Sequence, residues 1–223
     1  MIVYDNKNYY FYSTLINDGV IFSSFGTKVS RKANDIVFPS QRHTDNIVIV
    51  SSENDVSPQT EADGIVTRGK NSAIGIYTAD CVPILFVDKK AGIIGASHQG
   101  WKGTFKRLAQ KMIKQMVDMG AQTNNIIAAI GPAIGGCCYR FYGERLEEFK
   151  KEFPLYLNES FSERNGEGYL DLSRLNYLQL RESGIPANHI DHFPFCTCCD
   201  SRFFSYQREG KIRGHMEHFI VKL

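Results

Sequence analysis

The sequence carries almost no net charge: 26 basic residues against 24 acidic ones leave a formal +2 across 223 residues. That balance provides no broad basic face, so neither nucleic acid nor an anionic membrane is expected as a partner. Long apolar runs are also missing. None approaches the roughly 20 residues with which a helix crosses a bilayer. The opening stretch, MIVYDNKNYYFYSTLINDG, lacks the basic start, apolar middle and small-residue cleavage site of a secretory signal. A cytoplasmic protein is expected. In a reducing compartment the six cysteines would stay thiols or hold metal. Two of them, Cys137 and Cys138, are adjacent, which speaks against a regular disulfide framework. Repeats, low-complexity tracts and an evident linker are absent too, so a single domain over residues 1–223 is expected.

What is present is an ordinary globular composition, 43% hydrophobic, arranged as strands in runs with helices between some of them. Residues 8–16 and 20–26 are rich in aromatic and branched side chains and read as strands around Asn17-Asp18-Gly19. Residues 28–45 and 52–63 read as polar loops, with a short strand over 46–51 between them. Strands then follow at 64–67, 73–78, 83–88 and 92–98, the last two forming a hairpin over Lys89-Lys90-Ala91-Gly92. Phe105, Leu108, Met112, Met116 and Met119 recur at helical spacing and predict one helix over 104–120, with Thr104 as its cap and Gly120 at its end. Residues 125–141 read as strand, turn, strand. Residues 143–153 and 171–184 read as helices, the latter capped by Asp171, and 203–210 as a terminal strand. The pattern is that of an α+β, or mixed α/β, domain.

Six histidines are few enough to weigh singly. Cys81 opens one strand of the proposed hairpin and His98 closes the other, and in an antiparallel pair the start of one strand lies beside the end of its partner. The two side chains should therefore be close. A thiolate with an imidazole suits zinc, or a cysteine nucleophile with a histidine base. A small buried thiol near a surface histidine is the plain alternative. The CTCCD stretch, with Cys196, Cys198 and Cys199, reads poorly as a metal site because no second well-spaced cysteine pair accompanies it. His215 and His218 in RGHMEH read as a solvated surface tail. GPAIGG has no lysine and no helix start of the phosphate-loop kind, so its glycines read as turn residues.

Five segments taken in order go beyond composition: QRHTDNIVIV, TADCVPILF, SHQGWKGT, IGPAIGGCCYRF and CTCCDSRFFSYQREG. Together they resemble the laccase-domain family, whose labels include multicopper polyphenol oxidase, peptidoglycan editing factor and purine nucleoside phosphorylase. The resemblance runs from about Phe22 to the C-terminus. It implies a layered α/β/β/α domain and one zinc per chain, held by His43, Cys81 and His98, with copper the lesser alternative. It further implies purine nucleosides and phosphate as partners, and phosphorolysis of adenosine, inosine or methylthioadenosine with possible adenosine deamination. Arg42, Lys102 and Arg208 are candidate substrate or phosphate binders. Asp80 and Cys138 are candidate catalytic residues, and Trp101 could stack a base. The chain departs from the family where Lys102, Gln207 and His215 stand at positions usually held by arginine, Gln99 stands where alanine is common, and no asparagine–arginine pair aligns within TKVSRKANDIVFP. Those departures bear on phosphate binding and leave the three proposed zinc ligands intact. A copper oxidase would need further histidine-rich sites. A cysteine hydrolase acting on cell-wall peptides would use Cys81 and His98 alone, and an interaction protein would use the zinc structurally.

Overall fold

The computed structural model describes residues 1–30, 35–51, 56–57, 59–211 and 213–223. The loop readings at 28–45 and 52–63, and the segment searched for the asparagine–arginine pair, lie partly outside the described residues. In chain order the first elements are β1 (Ile2–Asp5), β2 (Tyr10–Ser13), β3 (Ile21–Gly26), β4 (Ile47–Val50), β5 (Gly64–Thr67), β6 (Ser72–Thr78), β7 (Val82–Asp88) and β8 (Ile93–Gln99). Next come α1 (Trp101–Phe105), α2 (Leu108–Asp118), β9 (Ile126–Ile130), α3 (Glu144–Glu152), α4 (Pro154–Ser160), β10 (Phe161–Arg164) and β11 (Glu167–Leu170). The chain closes with α5 (Leu172–Glu182), β12 (Ile190–His192), α6 (Tyr206–Glu209) and β13 (Met216–Lys222).

Two sheets carry the fold. One has the order β1-β2-β3-β13-β6, the other β12-β9-β7-β8-β5-β4, and β10 and β11 form a separate hairpin. All seven residues of β7 are buried, so its two faces must both be covered. On one face Leu85 and Val87 join Ile65, Ile94 and Ala129 against Phe25, Ile74, Ile76 and Ile220 of the other sheet. On the opposite face Ile84 and Phe86 pack with Leu108, Met112 and Met116 of α2, Phe149 of α3 and Leu175 and Leu180 of α5. The architecture is mixed α/β, and the described helix packing reads as layers in the order β/β/α.

The predicted hairpin forms as expected, with Pro83 opposite His98 and Val82 opposite Gln99. The single helix over 104–120 does not. Arg107 adopts a left-handed backbone, φ 59°, and divides it into α1 and α2. Thr104 is an interior residue of α1 whose buried hydroxyl accepts from Asn176 Nδ2. The predicted second strand within 125–141 is replaced by turns. The terminal strand predicted over 203–210 is instead the short helix α6, because Ser205 caps it by accepting from the Arg208 N–H. The RGHMEH segment, read as a surface tail, instead leads into β13, an interior strand flanked by β3 and β6.

His218 explains that last error, since a histidine interrupted what is otherwise an inward apolar row of Met216 and Ile220. It is fully buried, and its Nε2 lies 2.7 Å from Thr78 Oγ1. Burial first, and the charge of His98 second, push its pKa down to about 3. Above pH 6.5 the ring is neutral in folded and unfolded chains alike. As pH falls from 6.5 toward 3 only the unfolded chain takes up the proton, so stability is lost at up to about 1.4 kcal/mol per pH unit. A His218→Asn variant should therefore show a shallower loss of stability over that window, read by denaturant unfolding at several pH values. Identical slopes would remove His218 as the cause.

Candidate metal centre and its cavity

Three neighbouring strands of the second sheet bring their ends to one place. Asp63 immediately precedes β5, Cys81 immediately precedes β7, and His98 is the penultimate residue of β8. The ladder fixes their spacing: Gly64 faces Ser97, Pro83 faces His98, and the His98 N–H donates to the Asp63 carbonyl at 2.7 Å. His43 reaches the same point from a loop. The donor atoms of His43, Cys81 and His98 all lie within 4.8 Å of one another. Cys81 Sγ is 3.9 Å from His43 Nε2, and the two imidazole centroids are 4.8 Å apart.

Asp63, which the sequence reading did not single out, organises the cluster. It is fully buried. One carboxylate oxygen accepts from His98 Nδ1 at 2.7 Å and from the His43 N–H at 3.1 Å. The other accepts from the N–H groups of Arg42 and Thr44 and from the Thr44 hydroxyl. A carboxylate can only accept, so a proton sits on His98 Nδ1, and Nε2 is the ring nitrogen left to face the cluster. The same acid holds His43 in a left-handed backbone, φ 58°. Gly100 completes the packing: a Cβ there would meet His43 Cδ2 at 2.7 Å, so only glycine lets that ring approach.

The electrostatics agree with a cation site. Burial raises the Asp63 pKa, but the hydrogen bonds from His98 and Thr44 outweigh it and bring it down to about 2. Burial would raise the Cys81 thiol; the charge of His98 and the hydrogen bond with His43 lower it to about 6. Burial would lower His98, yet Cys81 and Asp63 raise it to about 9. A thiol easily ionised and two imidazoles, one with its tautomer fixed by a carboxylate, form a donor set suited to a borderline-soft divalent metal.

These residues sit in the wall of a cavity of about 830 Å³, lined also by Tyr77, Trp101, Tyr139, Tyr142 and Tyr206. A purine-sized aromatic ring fits a chamber of this volume and lining. Its arginines are Arg145 and Arg140, the latter with Nη1 3.3 Å from Glu167, and His215 lines it too. Arg145 lies over the rings of Trp101, Phe141 and Tyr142 at 5.6, 5.2 and 6.0 Å.

Residues 22–222 match the family described as multi-copper polyphenol oxidoreductase laccase. The chain belongs to that laccase family. Among its relatives, a protein of Clostridium acetobutylicum named purine nucleoside phosphorylase is 34% identical over 191 residues, 84% of this chain and 77% of its own length. A protein from an unknown prokaryotic organism, named adenosine deaminase RL5, is 36% identical over 79% of this chain and 71% of its own. The crystal structure of YlmD from Geobacillus stearothermophilus superposes with a TM-score of 0.86 at 25% identity, covering 99% of this chain and 98% of that one.

In this laccase-family chain the residues read from sequence separate into two groups. His43, Cys81 and His98 converge, and Trp101 lines the cavity. Arg42, Lys102 and Arg208 do not line it. Arg42 is largely exposed, with Nε 3.6 Å from Glu61. Lys102 lies 5.6 Å from the centroid of the Trp101 ring. Arg208 is spent on the chain itself, donating to the carbonyls of Thr197 at 2.7 Å and Phe203 at 2.5 Å. Cys138 is also outside the cavity lining, its Sγ 3.4 Å from that of Cys199. Asp80 does line the cavity, but its carboxylate accepts from the Thr197 hydroxyl, the Ser205 hydroxyl and the Gln207 N–H at 2.6, 3.0 and 2.8 Å. Those bonds tie the segment carrying Tyr206 and Gln207 to the start of β7. Among the described residues no helix is long and apolar enough to cross a membrane.

Proposed function

We propose that this chain is a zinc-dependent purine nucleoside enzyme, cleaving adenosine, inosine or methylthioadenosine with phosphate to the free base and ribose 1-phosphate. The observation that carries the reading is the convergence of His43, Cys81 and His98 in the wall of an aromatic-lined cavity. The names borne by the Clostridium acetobutylicum and RL5 relatives support the substrate class. One zinc bound by these three side chains would keep a fourth position open and supply Lewis-acid polarisation or an activated water. Zinc is favoured over multicopper chemistry because His192 and His218 are engaged by the hydroxyls of Ser173 and Thr78 rather than directed at Cys81.

The chain's own groups divide the remaining work. Trp101 and the tyrosines hold the purine by stacking. Arg145 takes the phosphate role, with Arg140 beside it shared with Glu167, since a guanidinium pairs with phosphate through two parallel hydrogen bonds. Asp63 keeps His98 in the metal-binding tautomer, and Asp80 is a positioning residue for the wall that carries Gln207. Adenosine deamination is the second activity, favoured by the RL5 relative and by a ligand set with an open position.

The test is product analysis on adenosine with and without phosphate. Adenine and ribose 1-phosphate should appear only when phosphate is present, whereas inosine formed without phosphate would report deamination. Adenine released at the same rate without phosphate would contradict phosphorolysis. An Arg145→Ala variant should raise the KM for phosphate by about tenfold or more, the loss of one charged hydrogen-bonding partner. An unchanged phosphate KM would exclude Arg145 from that role.

A further inference from the structure

A second cluster of thiols lies outside the cavity, on the far side of the loop that supplies Ile134, Tyr139 and Arg140 to its wall. Cys137 and Cys138 stand on the turn after Gly136, while Cys196 and Cys199 stand on the loop after β12. The four sulfurs lie within 4.8 Å of one another. Cys199 Sγ is 3.4 Å from Cys138 Sγ and 3.6 Å from Cys137 Sγ. A disulfide needs about 2.05 Å between sulfurs. A tetrahedral zinc with Zn–S bonds of about 2.3 Å places its sulfurs about 3.8 Å apart. The two short separations lie far outside disulfide range and near the edge length of a tetrathiolate tetrahedron, and all four sulfurs are close enough to share one ion.

The sequence pattern supports this. Cys196 and Cys199 enclose two residues, the spacing of a zinc knuckle, and the adjacent pair Cys137-Cys138 supplies what a spacing rule for a second knuckle overlooks. The backbone is arranged as such knuckles are. The Gly135 N–H donates to Cys196 Sγ at 3.1 Å, and the Cys199 N–H donates to the Cys196 carbonyl at 3.1 Å, closing the turn that aims that sulfur. The first bond stabilises a thiolate, and both fix its direction. Gly135 permits the close approach: a Cβ there would meet Cys137 Sγ and Cys196 Cβ, each at 3.3 Å. Four thiols this close cannot all ionise without a cation between them.

We propose that Cys137, Cys138, Cys196 and Cys199 form a second, structural metal site that binds zinc through four thiolates, each thiol releasing its proton on binding. Its ligand set is closed, unlike the three-ligand site at Cys81. The ion would fasten two loops already joined by the bridge between Ala133 and Cys196, the bond from the Thr197 N–H to the Ala133 carbonyl and that from the Gly135 N–H to Cys196 Sγ. One loop carries Ile134, Tyr139 and Arg140 of the cavity; the other carries Thr197, whose hydroxyl donates to Asp80. The site is independent of the activity proposed above.

Metal analysis of the full chain, purified with a thiol reductant, decides the matter. The wild type should hold about two zinc ions per chain, Cys81→Ser about one, and Cys199→Ser about one. A wild type with one ion that Cys199→Ser retains would overturn the second site. Should Cys199→Ser not fold, the Cys81→Ser protein loaded with cobalt(II) gives the answer by itself. Intense sulfur-to-cobalt charge transfer with tetrahedral visible bands supports four thiolates, and a cobalt-free protein or an octahedral oxygen spectrum refutes them. Capture of these cysteines as a disulfide, found by alkylation before reduction, would equally refute the proposal. Loss of turnover in Cys81→Ser with its remaining ion intact would separate the two sites cleanly.

Discussion

Asp63→Ala should lower zinc affinity by about 10- to 100-fold and destabilise the fold by about 3 to 5 kcal/mol. The size follows from how many groups depend on one buried carboxylate. Its removal leaves His98 Nδ1, the N–H groups of Arg42, His43 and Thr44, and the Thr44 hydroxyl without their acceptor. His98 would then be free to adopt either tautomer, and the loop holding His43 would lose the bonds that keep it in a left-handed backbone. Asp63→Asn retains an oxygen and the side-chain shape. It should restore only part of the stability, because its amide nitrogen would meet N–H donors where an oxygen accepted, and not the affinity, because an amide no longer stabilises a charged imidazole–metal unit. Isothermal zinc titration and denaturant unfolding measure the two quantities separately. Equal loss of stability in both variants, with zinc affinity intact in Asp63→Asn, would reduce Asp63 to a packing role.

Cys81→Ser should abolish the zinc of the cavity site and lower kcat/KM for adenosine by at least about a thousandfold, equivalent to about 4 kcal/mol of transition-state stabilisation. A serine hydroxyl is a much poorer ligand than a thiolate that ionises near pH 6. The fold should tolerate the change, since Cys81 is only partly buried and lies before β7 rather than in its core. Metal content, turnover and unfolding midpoint of the variant give a three-way readout. Full turnover without metal would leave the cavity residues acting alone. Retained metal with lost turnover would recast Cys81 as a nucleophile beside His98.

Much of this was legible in the sequence wherever the signal was local. The β7–β8 hairpin followed from two apolar runs around a glycine turn, and its antiparallel ladder is what sets Cys81 near His98. His43 was legible only through the resemblance of its motif, because a loop residue's position depends on what it packs against. Asp63 gave no signal: an acid at the end of a polar loop is ordinary until the fold turns it inward. Arg42, Lys102 and Arg208 lie close in sequence to the motifs, but nearness in sequence does not fix direction, and none of the three lines the cavity. Arg140 and Arg145 come to the cavity from a turn and a helix that no spacing rule connects with Cys81. The clustering of the cysteines was hidden for a related reason. Cys137 and Cys196 are distant in the chain, and contacts such as the bridge between Ala133 and Cys196 bring their loops together. For β13 the obstacle was chemical, because a buried neutral histidine looks like a surface residue until its Thr78 partner is known.

The most direct test of the central claim is turnover of adenosine, in the presence of phosphate, by metal-stripped protein to which zinc is returned in steps. Turnover should be absent in the stripped protein and should rise to a plateau as the site of His43, Cys81 and His98 fills. Metal-free protein that converts adenosine at the rate of the zinc-loaded form would contradict it.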